Sequence, residues 1–285
     1  MPSSFTPSSI VPDTDTPSLW FLFQGFRLLV WHEDQGVKIP RITSPAELGL
    51  IPTQSSFLGV LNNKGEAIPC YCGELGPDIQ PPPGYMFESL RPLYSQLDEQ
   101  SFWLAGRAVQ IVDWARTSQY CGRCGHATTL QTHDRSKICP NCGLTQYPQL
   151  APAVIVRVQR TTSRGPEILL ARAQRFPTSL FSVLAGFVEP GESLEECVER
   201  EIYEEVGITI KNIAYFGSQP WPFPHSLMVA FTAEYDEGEL QIDLTEIAEA
   251  GWYAADRLPG IPTPPSIANR LITSWLAESG QSGRV

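Results

Sequence analysis

Glu201, Glu204 and Glu205 close an acidic stretch, Gly186 to Ile208, that reads GFVEPGESLEECVEREIYEEVGI. From Ser193 to Val206 the pattern is helical. Glu192 stands near the start, where a helix N-terminus favours negative charge, and Gly207 supplies a C-terminal stop. At roughly 100° per residue, Leu194, Val198, Ile202 and Val206 share one face. Glu201 and Glu205 project into that apolar sector and Glu204 lies on its flank. Glu195 and Glu199 point away, while Glu196, Arg200 and Glu204 form an i, i+4 ladder. A merely solvated acidic helix would scatter its glutamates outward. Burying ionised carboxylates side by side costs on the order of several kcal/mol, and a divalent cation is the usual remedy.

A second metal signal is of another kind. Cys121-Gly-Arg-Cys124 and Cys139-Pro-Asn-Cys142 are two C-x2-C pairs separated by fourteen residues. That spacing suits two knuckles closing a tetrahedral Zn2+ site, with Gly122, Gly125 and Gly143 allowing the tight turns. Four thiolates leave no coordination position for a substrate, so the expected zinc is structural. Redox C-x2-C motifs open a helix in a thioredoxin-like setting, which is absent here. Cys70, Cys72 and Cys197 read as packing thiols. His126 and His133 read as surface residues of the ribbon.

Composition limits the remaining possibilities. The 285 residues allow two domains and a small third module, and a hydrophobic fraction of 42% with 18% charged residues fits a soluble globular protein. A net charge of −11 argues against general affinity for nucleic acid or anionic membranes, and eight glutamates against one arginine between residues 189 and 205 make the acidity largely local. No apolar run is long enough to span a bilayer, and the start MPSSFTPSSIVPDTDTP has no secretory pattern. Seven cysteines in this usage fit a reducing cytoplasm.

The elements that must position these groups follow from pattern. Residues 1–17 read as a flexible tail, 18–115 as an N-terminal α+β domain, 116–150 as the zinc ribbon and 151–285 as the domain holding the glutamates. Leu19 to Trp31 and Ser56 to Asn62 look like strands, Pro81 to Gly84 a loop, and Leu97 to Arg116 a helix leading into the ribbon. Ala153 to Val158 and Glu167 to Ala171 look like a β pair, Leu227 to Tyr235 another strand, and Ser266 to Ala277 a terminal helix. Strands enclosing one helix and followed by another suggest a sheet layered between helices.

Gly186, five residues, Glu192, seven residues and then Arg200-Glu201-Ile202-Tyr203-Glu204-Glu205-Val206-Gly207-Ile208 match the Nudix box at every position. Just beyond it, Ser218 to Pro224 reads SQPWPFP. Its prolines fix a rigid, non-helical wall, and Trp221 and Phe223 offer flat apolar surfaces for a ring. With the four-cysteine ribbon, these motifs resemble the NADH pyrophosphatase branch of the Nudix hydrolases, from near Phe102 to the C-terminus.

The resemblance implies an α/β/α Nudix sandwich with a mixed sheet, a smaller related N-terminal domain, and a homodimer whose sites draw on both subunits. It implies hydrolysis of NADH to NMNH and AMP, with NAD+ and NAD-capped RNA as further substrates. The Mg2+ or Mn2+ ligands it implies are Glu201, Glu205, Glu246 and the carbonyl of Ala185, with Glu204 in the same cluster. Glu205 is the first choice for the decisive residue, and Glu204 is the alternative base. Substrate contacts are implied for Gln219, Pro220, Trp221, Pro222, Phe223, Pro224, His225 and Ser226, and for Arg91 and the backbone near Ala268. Tyr147 and Phe187 are implied to stack on a base. The alternatives are a Nudix enzyme acting mainly on another nucleoside diphosphate derivative, and a non-enzymatic zinc-ribbon module. Intact Glu201, Glu204 and Glu205 speak against the second.

Overall fold

The computed structural model describes residues 5–12, 16–33 and 36–280. The chain divides into two compact units, Met1–Gln149 and Leu150–Val285.

The first unit is built on a sheet in the order Phe5–Pro7, Gln54–Asn63, Glu66–Glu74, Ser18–Gln24, Arg27–Glu33 and Gly36–Lys38. The stretch expected as one strand from Leu19 to Trp31 is a hairpin, because Gly25 takes a left-handed φ of 61° and turns the chain. Part of the expected tail is ordered as well: Phe5–Pro7 pairs antiparallel with Gln54–Asn63, and residues 1–4 and 13–15 lie outside the described residues. Helix α1, Glu99–Thr117, is capped by the Asp98 side chain and buries Phe102, Leu104, Ala105, Ala108, Val109 and Val112. Cys70 and Cys72 are fully buried in the sheet, and burial pushes both thiols up to about 12, as packing groups require. The ribbon's three short strands are Thr129–Leu130, Lys137–Ile138 and Thr145–Gln146.

The second unit is a mixed sheet in the order Ile210–Trp221, Ser226–Tyr235, Ala151–Thr162, Gly165–Ala173 and Ile247–Ala254, with Leu184–Phe187 added beside Ala151–Thr162. Ala151–Thr162 runs parallel to Ser226–Tyr235 and the other pairings are antiparallel. Alternation along the central strand explains the layering. Val154, Val156 and Val158 pack with helix α2, Leu194–Val206, on one face. Ile155 packs with helix α3, Ile267–Glu278, on the other. Arg157 shares the α3 face and is buried, its guanidinium donating to Glu278 at 2.8 and 3.1 Å and to Ser274 at 2.9 Å. The unit is therefore an α/β/α sandwich.

Candidate active site

Local sequence fixes both ends of α2. Ser193 caps it by accepting from the Glu196 amide at 3.3 Å, and the Glu196 carboxylate accepts from the Ser193 amide at 2.7 Å, a reciprocal capping box. Gly207 ends it with a left-handed φ of 73°. The expected ladder of Glu196, Arg200 and Glu204 is half present, because the cap takes Glu196 away. Arg200 instead binds Glu192, Glu201 at 2.9 Å, Glu204 at 3.0 Å and the carbonyl of Phe187 at 3.0 Å. Glu192 precedes the cap and accepts from the Glu189 amide. With Arg200, that bond holds its carboxyl down at about 2.

Val198, Ile202 and Val206 have no exposed surface, and each contributes roughly 1.5–3 kcal/mol by burial. Glu205 is 7% exposed, and its Oε2 has no hydrogen-bond partner. The Glu201 side chain is 13% exposed, whereas that of Glu204 is 59% exposed. This is the division read from helical periodicity.

Burial first, and then the charges of Glu201 and Glu246, push the Glu205 carboxyl up to about 8, with Arg175 opposing the rise. Burial also raises Glu201, against the pull of Arg200. Gly186 makes room for the cluster: a Cβ there would stand 1.8 Å from the Glu201 carboxyl carbon.

The exposed Glu246 arrives through backbone bonding. The last carbonyls of α2 have no intrahelical donors. The amides of Gln241 and Asp243 supply them, donating to Val206 O at 2.9 Å and Glu205 O at 3.0 Å. The turn that satisfies the helix end thus carries Asp243 and Glu246 to the glutamates. An orphaned, buried carboxylate oxygen among several acidic groups fits a hard divalent cation.

The four cysteines form a separate centre in the first unit. Their sulfur atoms lie within 4.8 Å of one another, the one such ligand group of three or more among the described residues. Cys121 Sγ is 3.5 Å from Cys142 Sγ, and Cys124 Sγ is 3.4 Å from Cys139 Sγ. Zn–S bonds of about 2.3 Å in a tetrahedron require edges of about 3.8 Å, so the thiols fit zinc. Gly125 and Gly143 turn the knuckles with φ of 74° and 72°. Gly122 has no left-handed backbone, so only two of the three expected glycines serve that purpose.

The NUDIX domain family matches residues 149–276, the NADH pyrophosphatase zinc ribbon domain 116–147, and the NADH pyrophosphatase-like rudimentary NUDIX domain 17–114. The chain is 45% identical over 247 residues to the NAD-capped RNA hydrolase NudC of Pseudomonas aeruginosa, covering 86% of this chain and 85% of that protein. The chain belongs to the NADH pyrophosphatase branch of the Nudix hydrolases. A NudC from Pseudomonas syringae is 47% identical over 255 residues, covering 90% of this chain and 87% of that protein. One from Chromobacterium violaceum is 40% identical over 261 residues, covering 92% of each.

In this Nudix hydrolase the SQPWPFP segment is the end of one strand and the turn that follows. Trp221 pairs with Ser226 across the hairpin, and the rings of Trp221 and Phe223 meet edge to face at 5.1 Å. Pro222 and Ser226 are buried, and Pro220 and Pro224 are exposed. The His225 carbonyl accepts from the Ala151 amide at 3.0 Å. Gln219 is buried with both ends of its amide engaged, Nε2 donating to Pro265 O and Oε1 accepting from the Ile267 amide, each at 2.7 Å. It ties the hairpin to the first turn of α3, where Ala268 is buried.

Phe187 is 59% exposed at the end of Leu184–Phe187, the strand in which Ala185 stands opposite Ile155. Tyr147, 60% exposed, and Arg91, at the start of a short 3-10 turn, belong to the first unit. Sequence reading passed over Asp243. It belongs to no motif or periodic pattern, so only the folded turn reveals it.

Proposed function

We propose that this protein hydrolyses the pyrophosphate of NADH and NAD+, giving NMN(H) and AMP, and removes NAD caps from RNA by the same cleavage. The observation that carries the reading is the buried, unpartnered Glu205 carboxylate at the centre of an intact Nudix helix, in a chain that also carries the SQPWPFP hairpin. NudC relatives named as NAD-capped RNA hydrolases support the substrate class. Glu201, Glu205, Glu246 and the Ala185 carbonyl would hold Mg2+ or Mn2+, which when bound supplies neutralisation of phosphate charge and activation of water.

The residues divide the remaining work. Glu205, ionised once the cation is bound, or alternatively Glu204, takes the proton of the attacking water, whose oxygen adds to one phosphorus as the bridging P–O bond breaks and the other phosphate leaves with that bond's electron pair. Trp221, Phe223 and Phe187 offer rings to the bases, and Gln219 holds the hairpin against α3. Tyr147, Arg91 and the backbone at Ala268 complete the proposed substrate contacts, with Pro220, Pro222, Pro224, His225 and Ser226 shaping the wall.

In the same proposal the chain works as a cytoplasmic homodimer, with residues 18–115, 116–150 and 151–285 as its modules. No helix among the described residues is long and apolar enough to cross a membrane. Product analysis with NADH tests the reading: NMNH and AMP in equal amounts are expected. Cleavage of other nucleoside diphosphates with NADH left intact would overturn it in favour of a Nudix enzyme of different specificity.

A further inference from the structure

Two cations fasten the zinc ribbon to the rest of the first unit, and both bond to backbone carbonyls. Arg135 Nη2 donates to Phe57 O at 2.7 Å and to Ser8 O at 2.9 Å. Lys137 Nζ donates to Ala115 O at 2.6 Å and lies 5.5 Å from the centre of the Trp114 ring. Ala115 belongs to the last turn of α1, where carbonyls lack intrahelical donors and the helix dipole favours a cation. Lys137 is only 8% exposed. Lysine is rarely so buried unless paired, and a buried charge holds its surroundings to one register.

That register reaches the surface through the ribbon hairpin. Lys137 stands opposite Gln146 and Ile138 opposite Thr145. The knuckle Cys139–Cys142 lies in the connection between these strands, and the Cys139 amide donates to Leu144 O at 2.9 Å. The zinc ligands thus fix the closed end of the hairpin, and Lys137 fixes its open end. Residues directly opposite share a face, so Gln146 lies on the inward side with Lys137, where its Oε1 is buried without a partner. Alternation turns the next residue, Tyr147, outward, and it is 60% exposed. Tyr147 is a proposed substrate contact, and its direction is set by the strand end that Lys137 anchors.

We infer that Lys137 is a positioning residue: its ammonium, bonded to the end of α1, fixes the open end of the ribbon hairpin and so aims Tyr147 at a base of the dinucleotide, on the pyrophosphatase reading proposed above. A ring that stacks on a base binds ground state and transition state alike, so the effect belongs in KM.

The test compares wild type, Lys137→Met, Lys137→Arg, Tyr147→Ala and the double variant Lys137→Met with Tyr147→Ala. It measures KM and kcat for NADH, the Kd of a methylene-bridged, non-hydrolysable NAD analogue in Mg2+, and amide exchange over residues 145–147. Methionine keeps the length and the apolar stem and removes the ammonium, while Arg135 and the zinc ligands still hold the ribbon. Lys137→Met should raise KM and the analogue Kd about fivefold or more, leave kcat within about twofold, and speed exchange over 145–147 about tenfold, with zinc content unchanged. Lys137→Arg, which keeps a donor for Ala115 O, should recover part of the loss. In the Tyr147→Ala background Lys137→Met should add little, because the residue it acts through is gone. Additive losses in the double variant would overturn the inference, as would unchanged KM or unaltered exchange. A joint fall of kcat, Tm and zinc content would also overturn it and make Lys137 a folding residue. If wild type leaves NADH intact, the functional reading falls, while exchange over 145–147 and the analogue Kd values still decide whether Lys137 acts through Tyr147.

Discussion

At the scale of single residues, two positions carry different kinds of responsibility. Glu205 contributes charge inside the sheet-facing side of α2, and its Oε2 has no protein donor. Glu205→Gln keeps the shape and removes the charge, so turnover should fall on the order of a hundredfold or more with the fold intact. A variant with wild-type kcat at saturating Mg2+ would refute the assignment. Gly186 contributes space. The atoms a Cβ would meet are the end of a flexible side chain, with Glu201 Oε1 and Oε2 at 2.0 Å. Gly186→Ala should therefore displace the carboxylate more than it disturbs the sheet. Metal affinity and activity should drop roughly ten- to a hundredfold, as when a ligand's support is lost, with little change in Tm. A large Tm loss at unchanged metal affinity would show that Gly186 serves packing instead.

Elements divide into those that build chemistry and those that hold shape. The ribbon is of the second kind, since four thiolates fill a tetrahedral site and leave nothing open. Elemental analysis should find one zinc per chain, and Cys121→Ser should lose it together with thermal stability before the glutamate centre is affected. Native protein without zinc, or a variant with unaltered Tm, would contradict this. In the proposed function the SQPWPFP hairpin is of the first kind. Trp221→Ala should lower kcat/KM for NADH about five- to a hundredfold, and more than for a small nucleoside diphosphate lacking nicotinamide, because stacking on an aromatic is worth roughly 1–3 kcal/mol. Equal losses on both substrates would make the hairpin scaffolding.

At the scale of the whole molecule, the proposed metal site at Glu205 would couple function to stability. The Glu205 carboxyl ionises at an ordinary 4.5 when unfolded and at about 8 in the metal-free fold. Folded protein then holds the proton longer. Its contribution is full below about pH 4.5 and is lost as pH rises toward 8. In EDTA, the Tm of wild type should fall across that window relative to Glu205→Gln, whose amide does not ionise. Mg2+ should restore most stability at the alkaline end, where the carboxylate is free to bind it. Parallel melting curves for the two proteins from pH 5 to 9 would contradict this account. Glu192 acts oppositely. Arg200 and the Glu189 amide lower its carboxyl to about 2, so its contribution is present above 4.5 and is lost on acidification toward 2.

Local rules written into consecutive residues were legible without coordinates. The Ser193 and Gly207 boundaries, the inward aim of Glu201 and Glu205 and the cysteine knuckles follow from helical period, capping and metal-ligand spacing, all of which act over a few residues. Long-range pairing was much less legible. Ile210–Trp221 carries interrupted alternation, with register shifts between Lys211 and Ala214 and between Tyr215 and Gly217, so its strand character comes from Ser226–Tyr235 beside it. Leu184–Phe187 is a short strand fixed by Ala151–Thr162. Glu196 was claimed by the cap and not by Arg200, a competition that periodicity alone does not rank. The placement of Asp243 and Glu246 was decided only by tertiary structure, because the Asp243 amide bonds to an α2 carbonyl and Glu246 O accepts from the Gln174 amide, contacts between segments far apart along the chain. Sequence by itself determined which glutamates of the helix turn inward and which four thiols close the zinc knuckles. The folded backbone decided what surrounds them, since burial and charge at Glu205 depend on segments that meet only after the sheet has formed.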